Sequence, residues 1–408
     1  MITSLQSFWS DFLASMRRHS FARNASVIAA AVLLAPASAL LYITRIRFLR
    51  IVAISRIGHL AGDVQSFVKS RMLGKTTVDA VLVSPPGAAA NECLVDYWHE
   101  HVRVVRSPVL ARLCTQLARF PWLVHEARVL SFDETAPYIA VQREWGHRPP
   151  LLGLTDEHRH RGEEWLSSVG VPHGAPYVCF HSREPGYSPL DEAMHSFRNS
   201  NIENYLPAVA ELTKRGFWCM RMGDASMRPI PSIDKVVDYA RLASRSDWLD
   251  VFLSATCRFF VGSCSGLVNL ANVFGRPCAV ANQAPPSHVL SFGIDDLCIP
   301  KLVWSEPENR YLTFAEMFGS AVCNFRLTEM FARQGLRPVE NRAEDVHDLA
   351  LEMLERCEGR ATYTAKDEEL RRRFDSLMRP GHYSYGGVNR VGRDFLRKYE
   401  HLIGDREP

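Results

Sequence analysis

The first 44 residues contain an amphipathic helical pattern and then a nearly continuous apolar segment, whereas the rest of the chain alternates short apolar runs with helical periodicity. In residues 1–20 apolar positions recur on one helical face and are followed by Arg17 and Arg18, which predicts an amphipathic helix at a membrane surface. Residues 25–44 are almost wholly apolar, and about twenty such residues can cross a bilayer core. Because Pro36 interrupts it, the segment either spans the membrane or enters and leaves one leaflet. A buried helix of a soluble domain is the alternative interpretation.

From residue 48 onward, short apolar runs alternate with stretches of helical periodicity. The first series predicts strands at 48–55, 77–84 and 102–105. The second series predicts strands at 177–182, 217–222, 236–240, 259–261 and 277–280. Strands that alternate with helices form parallel, doubly wound sheets. The pattern therefore predicts two Rossmann-like α/β domains, at residues 47–170 and 171–385, after a membrane-associated segment of residues 1–46.

The composition narrows the class of protein. Hydrophobic residues make up 47% of the chain and charged residues 23%, which is ordinary for a globular protein, and the net charge of +3 gives no reason to expect nucleic acid as a partner. The ten cysteines are scattered without a C-x-x-C pair, which favours a reducing compartment and no structural zinc. P-loop and G-x-S-x-G motifs are absent from the sequence, and no His, Asp or Glu group has metal-ligand spacing. We therefore expect no metal and no cofactor.

Ligands of open α/β sheets bind beyond the carboxyl ends of the strands, and four strand-end loops carry suitable residues. The first loop runs from Arg56 to Asp63. Gly58 allows a substrate to approach the backbone closely, His59 is a candidate general base, and Asp63 lies one helical turn further on. The alternative is that His59 only caps or packs on the following helix.

Two further loops follow strands of the second predicted domain. Arg183 is suited to clamp a diphosphate through paired hydrogen bonds, although a structural salt bridge is the alternative. Arg221 lies inside an apolar strand, where an unpaired guanidinium is costly. It therefore needs a partner, which is Asp224, Asp250 or a phosphate of the ligand.

The fourth loop is the Gly-Ser-Cys-Ser-Gly turn at residues 262–266, which precedes a predicted helix. Its hydroxyls and the backbone N–H groups of a helix N-terminus suit a phosphate, and an ordinary strand–helix crossover is the alternative. The predicted donor-binding residues are Arg183, Arg198, Asn199, Arg221, Gly223, Asp224, Ser263, Ser265, Gly266 and Asn282. Together such a turn and its arginines can neutralise a nucleotide diphosphate without a metal ion.

These motifs resemble those of a family of bacterial glycosyltransferases of surface polysaccharide synthesis. The matching segments are Arg-Ile-Gly-His (56–59), His-Ser-Arg-Glu (181–184), Phe-Arg-Asn-Ser-Asn-Ile-Glu-Asn-Tyr (197–205), Arg-Met-Gly-Asp (221–224), and Gly-Ser-Cys-Ser-Gly (262–266) with Pro277 and Asn282. More distantly, the last turn resembles the donor loop of heptosyltransferases. His-Ser-Arg resembles a strand-end motif of fucosyltransferases, except that Glu184 replaces their second arginine. The resemblance spans roughly residues 49–400.

The resemblance implies a GT-B fold, in which two Rossmann-like domains face each other across a cleft. The nucleotide-sugar donor would bind the C-terminal domain, and the acceptor would contact the N-terminal domain near Arg56 and Gly58. A C-terminal helix at residues 386–403 would cross back to the first domain.

We therefore predict a membrane-associated, metal-independent glycosyltransferase that transfers a sugar from a nucleotide-sugar donor to a lipid-linked or polysaccharide acceptor. His59, or else Asp63, would deprotonate the acceptor. The enzyme is expected at the cytoplasmic face of the inner membrane, because sugar nucleotides are made in the cytosol. Two alternatives are an epimerase-like sugar-nucleotide enzyme, which acts without an acceptor, and a non-catalytic, membrane-anchored binding or assembly protein.

Overall fold

The computed structural model describes residues 33–127, 135–186, 189–287 and 293–404. The chain divides into two compact units, Met1–Leu130 and Ser131–Pro408. The predicted domain boundary at residue 170 therefore differs from the observed one. Helix Asp156–Ser168 belongs to the second unit, where Gly162 lies so close to the ring of Phe252 that a Cβ atom there would be 2.2 Å from it.

The first unit is a parallel sheet with helical connections. Its elements are β1 (Ile46–Arg50), α1 (Ile57–Met72), β2 (Asp79–Val83), α2 (Glu92–Trp98), β3 (Arg103–Val105), α3 (Pro108–Leu117) and β4 (Val124–Glu126). The sheet order is β3-β2-β1-β4, so the direction of strand addition reverses beside β1. The three predicted strands are present, whereas β4 was not predicted, because Val124 is its only apolar residue and a single position gives no periodicity.

The N-terminal segment is described only in part. The predicted amphipathic helix at residues 1–20 and the start of the apolar segment lie outside the described residues, and residues 33–43 are helical. In the described ranges, no helix is long and apolar enough to cross a membrane. Leu34 and Leu41 pack against a cluster that includes Phe48 and Leu117, while Leu33 and Leu40 are exposed.

The second unit contains a larger parallel sheet. Its first elements are α4 (Thr135–Trp145), α5 (Asp156–Ser168), β5 (Tyr177–His181), α6 (Pro189–His195), α7 (Leu206–Lys214), β6 (Trp218–Arg221), β7 (Val236–Val237), α8 (Asp247–Thr256), β8 (Phe260–Gly262), α9 (Gly266–Val273), β9 (Cys278–Gln283) and β10 (Leu297–Pro300). The sheet order is β14-β10-β9-β8-β5-β6-β7, with β14 at Arg390–Val391. Strand addition reverses between β5 and β8, which makes that place the topological switch point.

A small antiparallel sheet follows the large one. It comprises β11 (Leu302–Ser305), β12 (Arg310–Tyr311) and β13 (Leu336–Val339) in the order β12-β11-β13, and it was not predicted. The remaining helices are α10 (Phe314–Gly319), α11 (Thr328–Ala332), α12 (Ala343–Cys357), α13 (Ala365–Leu377) and α14 (Arg393–Lys398). The two parallel sheets confirm the predicted α/β class.

The last helix differs from the prediction that residues 386–403 cross back to the first domain. Phe395 on α14 packs against Phe314, with ring centroids 6.1 Å apart, and the amine of Lys398 lies 2.6 Å from an Asp345 carboxylate oxygen. Both partners lie in the second unit, and the preceding strand β14 pairs with β10 of the same unit. The apolar side of α14 is therefore buried in the core of the second unit.

Candidate functional site

Two of the predicted loops meet at the switch point of the second unit. The Ser263 N–H donates to the His181 carbonyl at 3.2 Å, and the Arg183 N–H donates to Ser263 Oγ at 2.7 Å. Ser263 is fully buried, so its hydroxyl joins the loops that follow β5 and β8. The predicted proximity of these loops is therefore present in the structure, because both follow neighbouring parallel strands.

The Gly-Ser-Cys-Ser-Gly turn leads directly into α9. Ser265 occupies the N-cap position of α9, but its side chain makes no capping hydrogen bond, and both Ser265 and Gly266 are partly exposed. The first backbone N–H groups of a helix have no partner within the helix, and the helix dipole places partial positive charge there. This end of α9 is therefore suited to an anion.

Arg198 brings a cation to the same turn. It ends a short 3₁₀ helix at Ser196–Arg198, and its Nη2 donates to the Cys264 carbonyl at 2.8 Å. Its Nε is buried and has no acceptor among the described residues. No carboxylate oxygen within the described ranges lies within 4.0 Å of its guanidinium nitrogens. The Arg198 charge is therefore not neutralised by an ion pair.

Arg183 is held differently. Its Nη2 lies 2.8 Å from an Asp191 carboxylate oxygen, and its Nη1 donates to the side-chain oxygen of Asn199. The Asn199 amide in turn donates to Glu192 at 2.6 Å. The salt-bridge alternative therefore applies to Arg183 in this structure, and both Arg183 and Asn199 have carboxylate partners on α6.

Lys301 is a nearby cation that the sequence analysis missed. It follows β10 directly, is buried, and donates from Nζ to the Asn199 carbonyl at 2.5 Å. Burial, with a smaller contribution from the Arg183 charge, lowers the pKa of Lys301 to about 8. Within the described ranges no carboxylate forms an ion pair with it. The available sequence signal was a lysine immediately after the apolar run Leu297–Pro300.

The partner of Arg221 is neither Asp224 nor Asp250. Its Nη2 lies 3.3 Å from Glu184, its Nη1 lies 3.3 Å from Asp238, and Arg221 and Glu184 are both buried. The acidic residue that replaces the second arginine of the fucosyltransferase motif therefore neutralises Arg221. We infer a structural role for Arg221, because its charge is balanced inside the fold.

The other residues of that region also have local partners. Asp224 accepts a hydrogen bond from the Ser226 N–H at 2.8 Å. Gly223 has φ of 145°, and a Cβ atom there would lie 2.2 Å from the Met227 sulfur, so only glycine fits. Asp250 accepts from the Tyr239 hydroxyl at 2.8 Å.

Two polar residues at strand ends are buried in internal networks. Asn282 exchanges two hydrogen bonds with Asn341, at 2.6 and 2.8 Å, and donates to the Tyr205 hydroxyl at 3.1 Å. His181 Nδ1 lies 3.0 Å from the Met222 carbonyl, which can only accept, so Nδ1 carries the proton. Burial lowers the pKa of His181 to about 4, which keeps its ring neutral. Both residues support the loops that surround the switch point.

Replacing Arg221 with methionine is expected to destabilise the second unit by about 3–5 kcal/mol, because Glu184 and Asp238 would be left without their cation. Urea unfolding measures this loss, and an Arg221→Met/Glu184→Met double variant should recover part of it. An unchanged unfolding midpoint together with lost nucleotide binding would instead assign Arg221 to the ligand.

The first unit places His59 and Asp63 together near the start of α1. His59 Nδ1 lies 3.1 Å from Asp63 Oδ2, and the Val52 N–H donates to the same oxygen at 3.2 Å. Asp63 is fully buried, whereas His59 is partly exposed. Because a carboxylate can only accept, Nδ1 carries a proton, and in the neutral ring Nε2 is the nitrogen that accepts one. The pair has the arrangement of an oriented general base, with Asp63 as the orienting residue.

The two predicted acceptor-side residues lie at the start of the same helix. Arg56, at the N-cap position, is exposed, and Gly58 is buried.

Comparisons with known proteins give little further information. No family model and no curated protein matches the chain. Among solved structures, it is similar to the glycosyl transferase family 9 protein from Veillonella parvula, at 12% identity and a TM-score of 0.40 over 62% of this chain and 84% of that one. It is also similar to ADP-heptose LPS heptosyltransferase II from E. coli, at 12% identity and a TM-score of 0.41 over 62% and 89%. For E. coli heptosyltransferase WaaC with ADP, the identity is 12% and the TM-score 0.33 over 59% and 88%. These TM-scores are too low to establish a common fold.

Proposed function

We propose that this protein is a glycosyltransferase that transfers a sugar from a nucleoside-diphosphate sugar to an acceptor hydroxyl. The observation that carries the proposal is the switch point of the second unit. There, Arg198 and Lys301 donate only to backbone carbonyls, beside the uncapped N-terminus of α9. Two cations without a carboxylate partner in the described ranges, next to a helix N-terminus, suit a diphosphate.

The leaving group explains why such a site would promote sugar transfer. Negative charge develops on the diphosphate as the bond to the sugar breaks, and fixed donors that face it lower the barrier. Arg198, Lys301 and the backbone of the 263–266 turn would supply these donors, with Arg183 at the edge of the site. Within the described residues, no group of three or more His, Cys, Asp or Glu side chains could hold a metal ion. We propose metal-independent transfer with the nucleotide sugar as substrate and no cofactor.

Deprotonation of the acceptor is assigned to the first unit. His59 Nε2 would accept the hydroxyl proton, and Asp63 would hold the ring and stabilise the imidazolium that forms. The predicted role of Asp63 as the base itself is less suited to this geometry, because Asp63 is buried behind His59.

We further propose that the acceptor is lipid-linked or a growing glycan and that the enzyme works at the cytoplasmic face of the inner membrane. The apolar segment 25–44 supports this proposal, together with the absence of acidic residues from position 12 to position 62, a stretch that contains seven arginines. A basic and apolar N-terminal region favours an anionic membrane surface.

The first experiment is a thermal-shift panel of the purified protein with UDP, GDP, CDP, ADP and CMP. A ligand that binds only the folded state adds about 2.7 kcal/mol at 100 times its dissociation constant. We expect one diphosphate to stabilise the protein and CMP to stabilise it less. Transfer of labelled sugar that requires an added acceptor would distinguish a transferase from an epimerase. If no nucleotide stabilises the protein, the proposed function is wrong.

The affinity for the diphosphate is expected to fall by about tenfold between pH 7 and pH 9, because Lys301, with a pKa of about 8, loses its proton and charge over this range. Calorimetric titration at several pH values measures the effect. Lys301→Met should bind weakly at pH 7 and show no such slope. Lys366→Met is the control, because Lys366 is exposed and paired with Glu400 at 2.6 Å. A slope that persists in Lys301→Met would contradict this role.

A further inference from the structure

The first unit contains a pocket of about 770 Å³ that the proposed function does not yet use. Its volume lies within the range of about 300–1,000 Å³ that is typical of small-molecule sites. The strand side of the pocket is formed by the carboxyl-terminal parts of β1 and β2 and by the chain that follows β1. Its lining there is mainly apolar and includes Leu49, Ile51, Val52, Leu82 and Val83.

Helix α3 forms the other wall and is itself unusually apolar. Cys114, Thr115 and Ala118, from α3 and its C-terminal end, line the pocket. The same helix exposes Val109 (74%) and Leu113 (45%) to solvent. Exposed apolar patches mark protein or membrane interaction sites and ligand-binding grooves, and the apolar pocket beside this helix favours a ligand that comes from a lipid surface.

Charge at the pocket favours an anion. Arg50 is neutralised by Glu126, since their side chains lie 2.9 Å apart, and its Nη2 donates to the Ala118 carbonyl. Arg119 also lines the pocket, is exposed, and forms no ion pair within the described ranges. The charged residues that line the pocket are Arg50, Arg119 and Glu126, and the first and last of these pair with each other. Arg119 therefore leaves one excess positive charge in the lining.

The pocket is connected to the candidate base. Val52 lines it, and the N–H of the same residue donates to Asp63, which holds His59. Val52 therefore joins the pocket lining to the His59–Asp63 pair through a single hydrogen bond, within one unit of the chain.

We propose that this pocket binds the apolar chain of a phosphate-bearing amphiphile, with Arg119 beside the phosphate, and so positions the acceptor for His59. The acceptor role rests on the proposed function, whereas binding of the amphiphile does not. An apolar chain with a phosphate is shared by prenyl-phosphate-linked sugars and single-chain phospholipids, and both carry a hydroxyl group that His59 could deprotonate. The acceptor class is therefore an amphiphilic lipid and not a free glycan.

Binding can be measured calorimetrically on the full-length protein with farnesyl phosphate, lysophosphatidic acid, farnesol and inorganic phosphate, each below its micelle concentration. We expect at least one of the two phosphate amphiphiles to bind at one saturable site. Tighter binding of farnesyl phosphate would indicate a prenyl-linked ligand, and tighter binding of lysophosphatidic acid would indicate a phospholipid. Farnesol should bind at least tenfold more weakly than farnesyl phosphate, and inorganic phosphate should not compete. Equal binding of farnesol, or competition by phosphate alone, would overturn the proposal.

Variants localise the site. Thr115→Trp fills the pocket from an exposed position and should weaken binding at least tenfold. Arg119→Glu should remove the preference for farnesyl phosphate over farnesol. Arg112→Glu is the matched control, because Arg112 is an exposed arginine of α3 outside the pocket lining, and it should bind as the unmodified protein does. If Thr115→Trp and Arg119→Glu both bind normally, or no amphiphile binds, the pocket assignment is wrong. Stabilisation by a nucleoside diphosphate in the same preparation reports separately on the proposed function.

Discussion

An Arg198→Ala variant is expected to transfer sugar about 10²–10³-fold more slowly than the unmodified protein, because removing one preorganised donor to a developing negative charge has an effect of that size. Its affinity for the nucleoside diphosphate should also fall, since a hydrogen bond to a charged group contributes about 1.5–3 kcal/mol. Steady-state kinetics and calorimetric titration measure the two losses. The effect should be large because Arg198 already donates to the turn at Cys264 and has no competing carboxylate in the described ranges.

Two further variants show whether the loss comes from charge or from folding. Arg198→Lys keeps a cation but loses the planar guanidinium, so it should recover part of the affinity. Arg337→Ala removes an arginine that is 60% exposed on β13 and paired with Glu306, and it should bind nucleotide normally. Wild-type affinity in a folded Arg198→Ala protein would show that the diphosphate binds elsewhere.

A His59→Ala variant is expected to lose about 10²–10⁴-fold in transfer rate, which is the typical contribution of a general base. Nucleotide binding should not change, because the proposed diphosphate site lies wholly in the second unit. Asp63→Asn should also slow transfer, since an amide no longer provides the acceptor-only partner that holds the His59 proton on Nδ1. Rates at saturating donor and acceptor, with a thermal shift for the diphosphate, separate catalysis from binding.

The matched control is His99→Ala, because His99 is an exposed histidine of the same unit, at the end of α2. It should retain full activity. Near-normal turnover in His59→Ala would show that His59 is not the general base. That result would not contradict the proposed diphosphate site. A parallel loss of stability in Asp63→Asn, but not in His59→Ala, would indicate that Asp63 mainly supports the Val52 backbone.

The strand-end loops show how far sequence reasoning reaches. Apolar runs that alternate with helices predicted parallel strands, and parallel strands place their following loops at one edge of the sheet. That rule was sufficient to bring Arg183 and Ser263 together, and helical spacing placed Asp63 one turn from His59. These relations depend on local periodicity and on a general property of sheets, so no knowledge of distant contacts was needed.

Other assignments depended on contacts between segments far apart in the chain. Glu184 and Asp238 are the partners of Arg221, although Asp224 and Asp250 were nearer candidates by sequence. Lys301 reaches the Asn199 carbonyl only because β10 lies in the same sheet as β5, with β9 and β8 between them. Side-chain pairing of this kind is set by which loops turn towards each other, and hydrophobic periodicity carries no signal for it.

The sequence by itself determined the α/β class, the presence of two parallel sheets and the local residue spacing at the His59 and Ser263 loops. Only the tertiary structure decided that Arg198 and Lys301 lack a carboxylate partner in the described ranges while Arg183 and Arg221 have one. It also decided that α5 and α14 belong to the second unit, through burial against Phe252 and Phe314. The physical reason is that periodicity and turn chemistry act over a few residues, whereas charge balance and core packing depend on neighbours that only the folded chain supplies.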